Sequence, residues 1–211
     1  MPKKAAKRES IVRAAIEVFS KNGFRNSNIS EIARKANVAE GTIYQYFKNK
    51  EDLFFSIPIE KTKEFTGELD LHLQGITGAV NKIRKFIWYY LYFFMTNPGY
   101  GRILLLELRG SKSFAQTETY HFLTKSTSRV LEVIEEGQAE NVIREDTSRY
   151  RNRQLILGVL EHVVTRWLLK DGKYDLMEHY NEVTELVLHG ICNSRSQPPA
   201  TQEVGASETP S

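Results

Sequence analysis

Cysteine is nearly absent: Cys192 stands alone among 211 residues, so no intrachain disulfide can form, and no Cys/His spacing resembles a zinc site. Long apolar runs are missing too, since no window reaches the about 18 uninterrupted apolar residues of a membrane span. The start, Met1 to Ser10, is basic and has no apolar signal-peptide core. The expectation is a soluble, cytoplasmic chain that touches no membrane. Nor is there a glycine-rich phosphate loop or a nucleophilic cysteine motif, and the five histidines, at 72, 121, 162, 179 and 189, lack metal-ligand spacing. Enzymatic chemistry, a cofactor and a metal are therefore not expected.

What is present is an ordinary globular composition, with 41% hydrophobic and 11% aromatic residues, which separates the chain from disordered sequences. Its length suits one small module followed by a larger helical domain. Charge is distributed unevenly between them. Residues 1–50 hold eleven Lys/Arg against four Asp/Glu, a balance of +7, which leaves −4 for the other 161 residues of a chain whose net charge is +3. A polyanion is the natural partner of the basic segment, the bland alternative being a basic disordered tail. Beyond Cys192 the sequence turns to Ser, Gln, Pro and small polar residues, a composition that reads as a disordered tail over 194–211.

Helical periodicity runs through almost every segment and strict strand alternation through none, so the fold class is all-α with about nine helices. The first, from about Ala5 to Asn22, carries Ile11, Val12, Ala15, Ile16 and Phe19 on one stripe and stops at Gly23. Asn28 is placed to cap a short second helix, with Glu31 in the capping-box position. A break at Asn37–Glu40 follows, and Asn37 is a residue type that enters a left-handed turn cheaply. Further helices are predicted over about 50–73, 79–97, 103–108, 113–138, 148–170 and 175–191. Seven aromatics between Phe86 and Phe94 imply that the helix over 79–97 is buried on all sides. The expected organisation is a helix-turn-helix domain over 1–49, a second domain over 50–193 and the tail.

In the third helix Thr42, Gln45 and Tyr46 share one face, while Ile43 and Phe47 point the other way. The exposed triplet offers a hydroxyl, an amide able to pair with adenine and a phenol, with Lys48 following for the phosphate backbone. Ser27 and Asn28 open the preceding helix, where a phosphate oxygen can sit. Periodicity alone leaves these equally readable as the surface of an ordinary three-helix module. The run Gly23-Phe24, Asn28-Ile29-Ser30-Glu31-Ile32-Ala33, Ala36-Asn37-Val38 and Gly41-Thr42-Ile43-Tyr44-Gln45-Tyr46-Phe47-Lys48-Asn49-Lys50 resembles the DNA-binding domain of TetR-family repressors. Asn37 departs from the family's usual turn glycine, and Ala39 from its usual Ser/Thr cap, a loss of about 1 kcal/mol. The resemblance implies contact with double-stranded operator DNA by Ser27, Asn28, Thr42, Tyr44, Gln45, Tyr46 and Lys48, and packing by Ile43 and Phe47.

It also implies a homodimer through the last two helices. The helix over 148–170 carries too many apolar residues, Leu155 to Leu169, to bury on one face, unless the monomer covers both. For the second domain the expected effector is a small hydrophobic molecule held among Tyr89, Phe93, Tyr100, Leu105, Phe122 and Trp167, most of which read equally well as core. Leu106-Glu107-Leu108-Arg109 with Ser111, and Trp167 with Lys173-Tyr174-Asp175-Leu176, resemble the fatty-acid-degradation repressors of the FadR group. That resemblance implies long-chain acyl-CoA as effector, with Arg102 or Arg109 facing its polar end; both arginines also read as surface ion pairs. A multidrug-responsive repressor of an efflux pump is the alternative, because an aromatic pocket also suits flat cations.

Overall fold

The computed structural model describes residues 2–193, so the expected tail over 194–211 lies outside the described residues. Among the described residues the chain is helical throughout, apart from turns and one isolated antiparallel bridge between Ile143 and Cys192. None of these helices is long and apolar enough to cross a membrane.

Helix α1 (Pro2–Asn26) is interrupted at Gly23, whose φ of 74° and ψ of 163° no L-residue adopts without strain. Helices α2 (Ile29–Lys35) and α3 (Glu40–Tyr44) follow, joined through Asn37 at φ 54°. Asn28 caps α2, its Oδ1 accepting from the Glu31 N–H at 2.8 Å, but the capping box is only half formed. The Glu31 carboxylate turns to Asn22 Nδ2 at 3.0 Å instead. Ala39 gives α3 no side-chain cap. Ile11, Ala15, Phe19, Ile32 and Ile43 close a small core without solvent exposure.

The long helix α4 (Lys50–Leu73) is capped by Asn49 and passes through Pro58, which removes one rung of its hydrogen-bond ladder. Its first turns bury Leu53, Phe54 and Ile57 against the three-helix module. Its later turns pack on α5 (Ala79–Thr96) and on the helix over Glu118–Ser126. Helix α5 is not buried all round: Trp88 and Tyr92 stack at 5.1 Å near its surface, with Lys85 Nζ 4.3 Å above the Trp88 ring. Pro98 restarts the chain as α6 (Pro98–Gly101), continuous with a π-helical stretch, Arg102–Leu108.

The sequence pattern predicts one helix over 113–138. The chain instead makes a 3-10 turn at Phe114–Gln116 and then two helices, α7 (Glu118–Ser126) and α8 (Ser128–Ala139), broken at Thr127. Hydroxyls explain the break, because Ser126 and Thr127 donate to the carbonyls of Phe122 and Thr124 and compete with the helical ladder. Allowing for that interruption, the nine expected helices are all present. Helix α9 (Arg149–Leu169) turns through Asp171 and Gly172, both left-handed, under the Trp167 ring. After a 3-10 turn at Leu176–His179 the chain finishes as α10 (Tyr180–Ile191).

The module of α1 to α3 is seated on the rest at two places. A Cβ on Gly99 would lie 3.0 Å from Ile16, so α6 and α1 approach closely. Beside them the Phe24 N–H donates to Glu107 Oε2 of the π-helical stretch at 3.0 Å.

Candidate functional site

Helix α3 is only five residues long, yet its base is rigid because Ile43 and Phe47 are buried. Arg8 packs over the Phe47 ring and ion-pairs with Glu60 of α4, which fixes that base to the long helix. On the outer side Tyr44, Gln45 and Lys48 are exposed, and Thr42 and Tyr46 are half-buried. Asn28 is exposed at the α2 N-terminus. Ser27 differs from the expectation: it is buried, and its hydroxyl donates to the Gly23 carbonyl at 2.7 Å. Ser27 therefore shapes the corner after α1 rather than offering its hydroxyl outward. Lys50 Nζ completes that corner, donating to the carbonyls of Phe24 at 2.8 Å and Ser27 at 2.9 Å while it lies over the Phe24 ring.

A groove that the sequence reading missed runs beside this surface. Lys4, Lys7 and Ser10 of α1 face Asn37, Val38 and Tyr46 across it. The basic count of the N-terminal segment was the available signal; the alignment of those lysines with Tyr46 needed the fold.

In the second domain a narrow, mainly apolar cavity lies between α4, α5, α7, α8 and α9, with about 640 Å³ of empty space including its open end. Three helices order its lining along one axis. Phe86, Tyr90 and Phe94 descend α5, Leu69, Phe65 and Thr62 descend α4 in the same direction, and Leu157 precedes Glu161 on α9. At the first end Ser126, Thr127, Arg129 and Val130 line the wall, and the cavity adjoins a surface groove formed with Asp70, Phe122, Lys125 and Glu132. Arg129 contacts both Asp70 and Glu132, while Arg153 donates to the Thr127 hydroxyl at 3.1 Å. At the second end stand Tyr100, Leu104 and an ion pair between Arg109 and Glu161. Burial raises the Tyr100 phenol to about 12 and pushes Tyr90 well above its ordinary range, so both present neutral hydroxyls.

Of the residues expected to hold an effector, Tyr100 and Arg109 line this cavity and Phe122 lines the groove at its mouth. Tyr89 and Phe93 are buried in the core, where the Tyr89 hydroxyl donates to Glu68 at 2.9 Å. Burial, then Glu68, raises the Tyr89 pKa. Leu105 packs against the core, and Trp167 donates from Nε1 to the Tyr174 carbonyl at 2.8 Å. Arg102 pairs with Asp171 at 2.6 Å and is not in the lining. The cavity-lining Glu161, Thr62 and Phe65 were missed, because no local pattern sets them apart from core or surface positions.

The model of bacterial regulatory proteins of the tetR family matches residues 11–57, and that of the YsiA-like protein C-terminal region matches residues 59–190. The fatty acid metabolism regulator protein of Bacillus subtilis is 33% identical over 193 residues, 92% of this chain and 100% of that one. Among solved structures, the fatty acid degradation regulator FadR of Bacillus halodurans superposes with a TM-score of 0.80 at 30% identity, covering 87% of this chain and 95% of the other. FadR of Bacillus subtilis in complex with stearoyl-CoA gives 0.78 at 32% identity, covering 87% and 98%.

A bidentate amide-to-adenine contact carries about 1–3 kcal/mol of base discrimination. Gln45→Ala is therefore expected to weaken operator binding by roughly 5- to 150-fold at one base position, with an unchanged melting temperature. Lys48→Ala is expected to weaken binding to all sequences alike and to lower the slope of log K against log salt by about one. Fluorescence anisotropy on matched and base-substituted duplexes checks both.

Proposed function

Because the chain belongs to the tetR family of bacterial regulatory proteins, we propose that it represses its target genes until a long-chain acyl-CoA enters the α4–α9 cavity and releases it from the operator. Members of this family bind operator DNA as dimers and are regulators, not enzymes. The observation that carries the effector assignment is the joining of a narrow apolar channel to a charged mouth, where Lys125 stands beside an Arg129 that phosphates would take over from Asp70 and Glu132. An acyl chain suits the first, and the phosphates of coenzyme A suit the second. FadR of Bacillus subtilis, similar over most of its length, has been crystallised with stearoyl-CoA. In this reading Tyr100 and Arg109 meet the acyl chain, Phe122 lies at the mouth, and the phosphates engage Lys125 and Arg129 rather than Arg102. The multidrug alternative calls for an acid in the cavity, where Glu161 is paired with Arg109; what favours the acyl-CoA reading over it is the similarity to FadR of Bacillus subtilis.

DNA contact falls to Asn28, Thr42, Tyr44, Gln45, Tyr46 and Lys48 of a reading domain over 1–49, with the effector and dimer domain over 50–193. Dimerisation through α9 and α10 is supported by the apolar surface they leave uncovered: Leu155 is 38% exposed and Leu186 63%. Gly158, on the same helix, has open space beside its Cα. A partner helix can approach closely there.

For release the effector must favour the state that binds DNA badly, since equal affinity for both states shifts nothing. Two connections run from the cavity to the reading domain. One is α4, which lines the cavity at Thr62–Leu69 and supports the domain at Leu53–Ile57. The other is the continuous run of α6 and the π-helical stretch, with Tyr100 and Arg109 at the cavity, Gly99 against Ile16 and Glu107 on the Phe24 N–H.

Stearoyl-CoA is expected to release the protein from its own promoter region in an anisotropy titration at fixed salt, with free stearate and a cationic dye inert. Release by the dye alone would transfer the assignment to the multidrug reading. Glu107→Ala is expected to retain acyl-CoA binding while the ratio of operator affinities without and with acyl-CoA falls at least fivefold; an unchanged ratio removes that connection. Leu186→Glu is expected to convert a dimer into monomers in sedimentation velocity and to abolish binding to a two-half-site operator.

A further inference from the structure

The cavity has unlike ends. Its first end adjoins a surface groove between α4, α7 and α8, whereas at its second stands a charged pair that separates the apolar lining from solvent, Arg109 reaching the surface. Arg109 and Glu161 come from different elements 52 positions apart in sequence, yet both line the second end, below Phe94 on α5 and beside Thr62 on α4. Each side chain is about two-thirds removed from solvent. A terminal methyl that reached this point would have to strip water and a partner from both charges, which is unfavourable unless another ion replaces the one lost.

The backbone is unusual at the same place. Arg109 donates its N–H to the Leu104 carbonyl at 2.9 Å, five residues back, at the close of the π-helical stretch. π-helical turns are rare and concentrate at functional sites, because the wider turn re-aims the side chains that follow it. Here the wide turn ends on the residue that supplies the cationic half of the wall.

We propose that the Arg109–Glu161 ion pair is the end wall of the effector channel and sets the longest acyl chain the protein accepts. The inference rests on the effector reading above and adds a specificity element to it. Chains that stop short of the wall leave the pair intact. Longer ones must part it or leave methylenes in water at the mouth, and their affinity drops.

The test is direct binding of a saturated acyl-CoA series, from C8 to C20, to the full chain by isothermal titration below the aggregation threshold of each ligand. Arg109→Ala/Glu161→Ala removes both charges together and lengthens the apolar path at that end. It is expected to lower the ratio of the C20 to the C16 dissociation constant at least fivefold. Thr62→Leu narrows the same end without touching the pair and is expected to move the preference toward shorter chains. Lys82→Ala/Glu136→Ala, which deletes an α5–α8 ion pair outside the cavity, should keep the wild-type profile. A shift in the Arg109/Glu161 double variant with none in this control supports the wall, Thr62→Leu confirming that this end is the one the chain tip reaches; an unmoved profile in the double variant overturns it. Absence of binding by every acyl-CoA to the wild-type protein would remove the effector reading as well, a result distinct from tight binding with an unmoved profile.

Discussion

The contact between the end of α1 and the π-helical stretch joins the two parts of this molecule through a charged acceptor. At Gly23 the helix stops in a left-handed conformation, and the next amide, Phe24 N–H, leaves the ladder. An amide so exposed near a packed interface needs an acceptor, and Glu107 supplies a charged one from the effector domain. The Phe24 ring meanwhile packs against Phe54 at 4.7 Å and lies beneath Lys50. One residue thereby meets α1, α4 and the effector domain together. A three-helix module has too little core to hold its own orientation against a larger partner, so the direction in which α3 points is inherited from this seat.

The head was the more legible half. Its features are local: an Asn able to adopt positive φ, a cap three residues before its amide partner, and an α4 whose predicted limits match those observed. Where local reading failed, a competing partner nearby in space decided the outcome. Ser27 turns inward because the Gly23 carbonyl is free after the helix stops, and Glu31 leaves the capping box because Asn22 Nδ2 is within reach. Both are neighbours across a corner that periodicity does not describe.

The effector domain was legible in class but not in detail. Aromatic density showed that an apolar interior exists, yet it ranked Tyr89, Phe93 and Trp167 beside Tyr100, and only the last faces the cavity. Selection depends on where α4 and α9 leave a gap, which no single helix encodes. Arg109 was recognisable as a paired residue; its partner, Glu161, lies too far along the chain to infer without the packing. The break at Thr127 could have been suspected from three consecutive hydroxyl residues, a cluster that disrupts helices by bonding its own backbone.

Pro58 gives α4 a weak point between the turns that face the cavity and those that carry the head. A continuous rod would hand every displacement of Thr62–Leu69 undiminished to Leu53–Ile57. With a rung missing, part of that displacement is absorbed as bending, and the head keeps a second tether at Glu107. A bend at that point tilts a head instead of sliding it along α4. In the proposed two-fold dimer the same tilt in both heads, related by rotation about the symmetry axis, changes the spacing between the two reading surfaces. The quantity such a protein regulates is then an angle, which the operator reads as a distance.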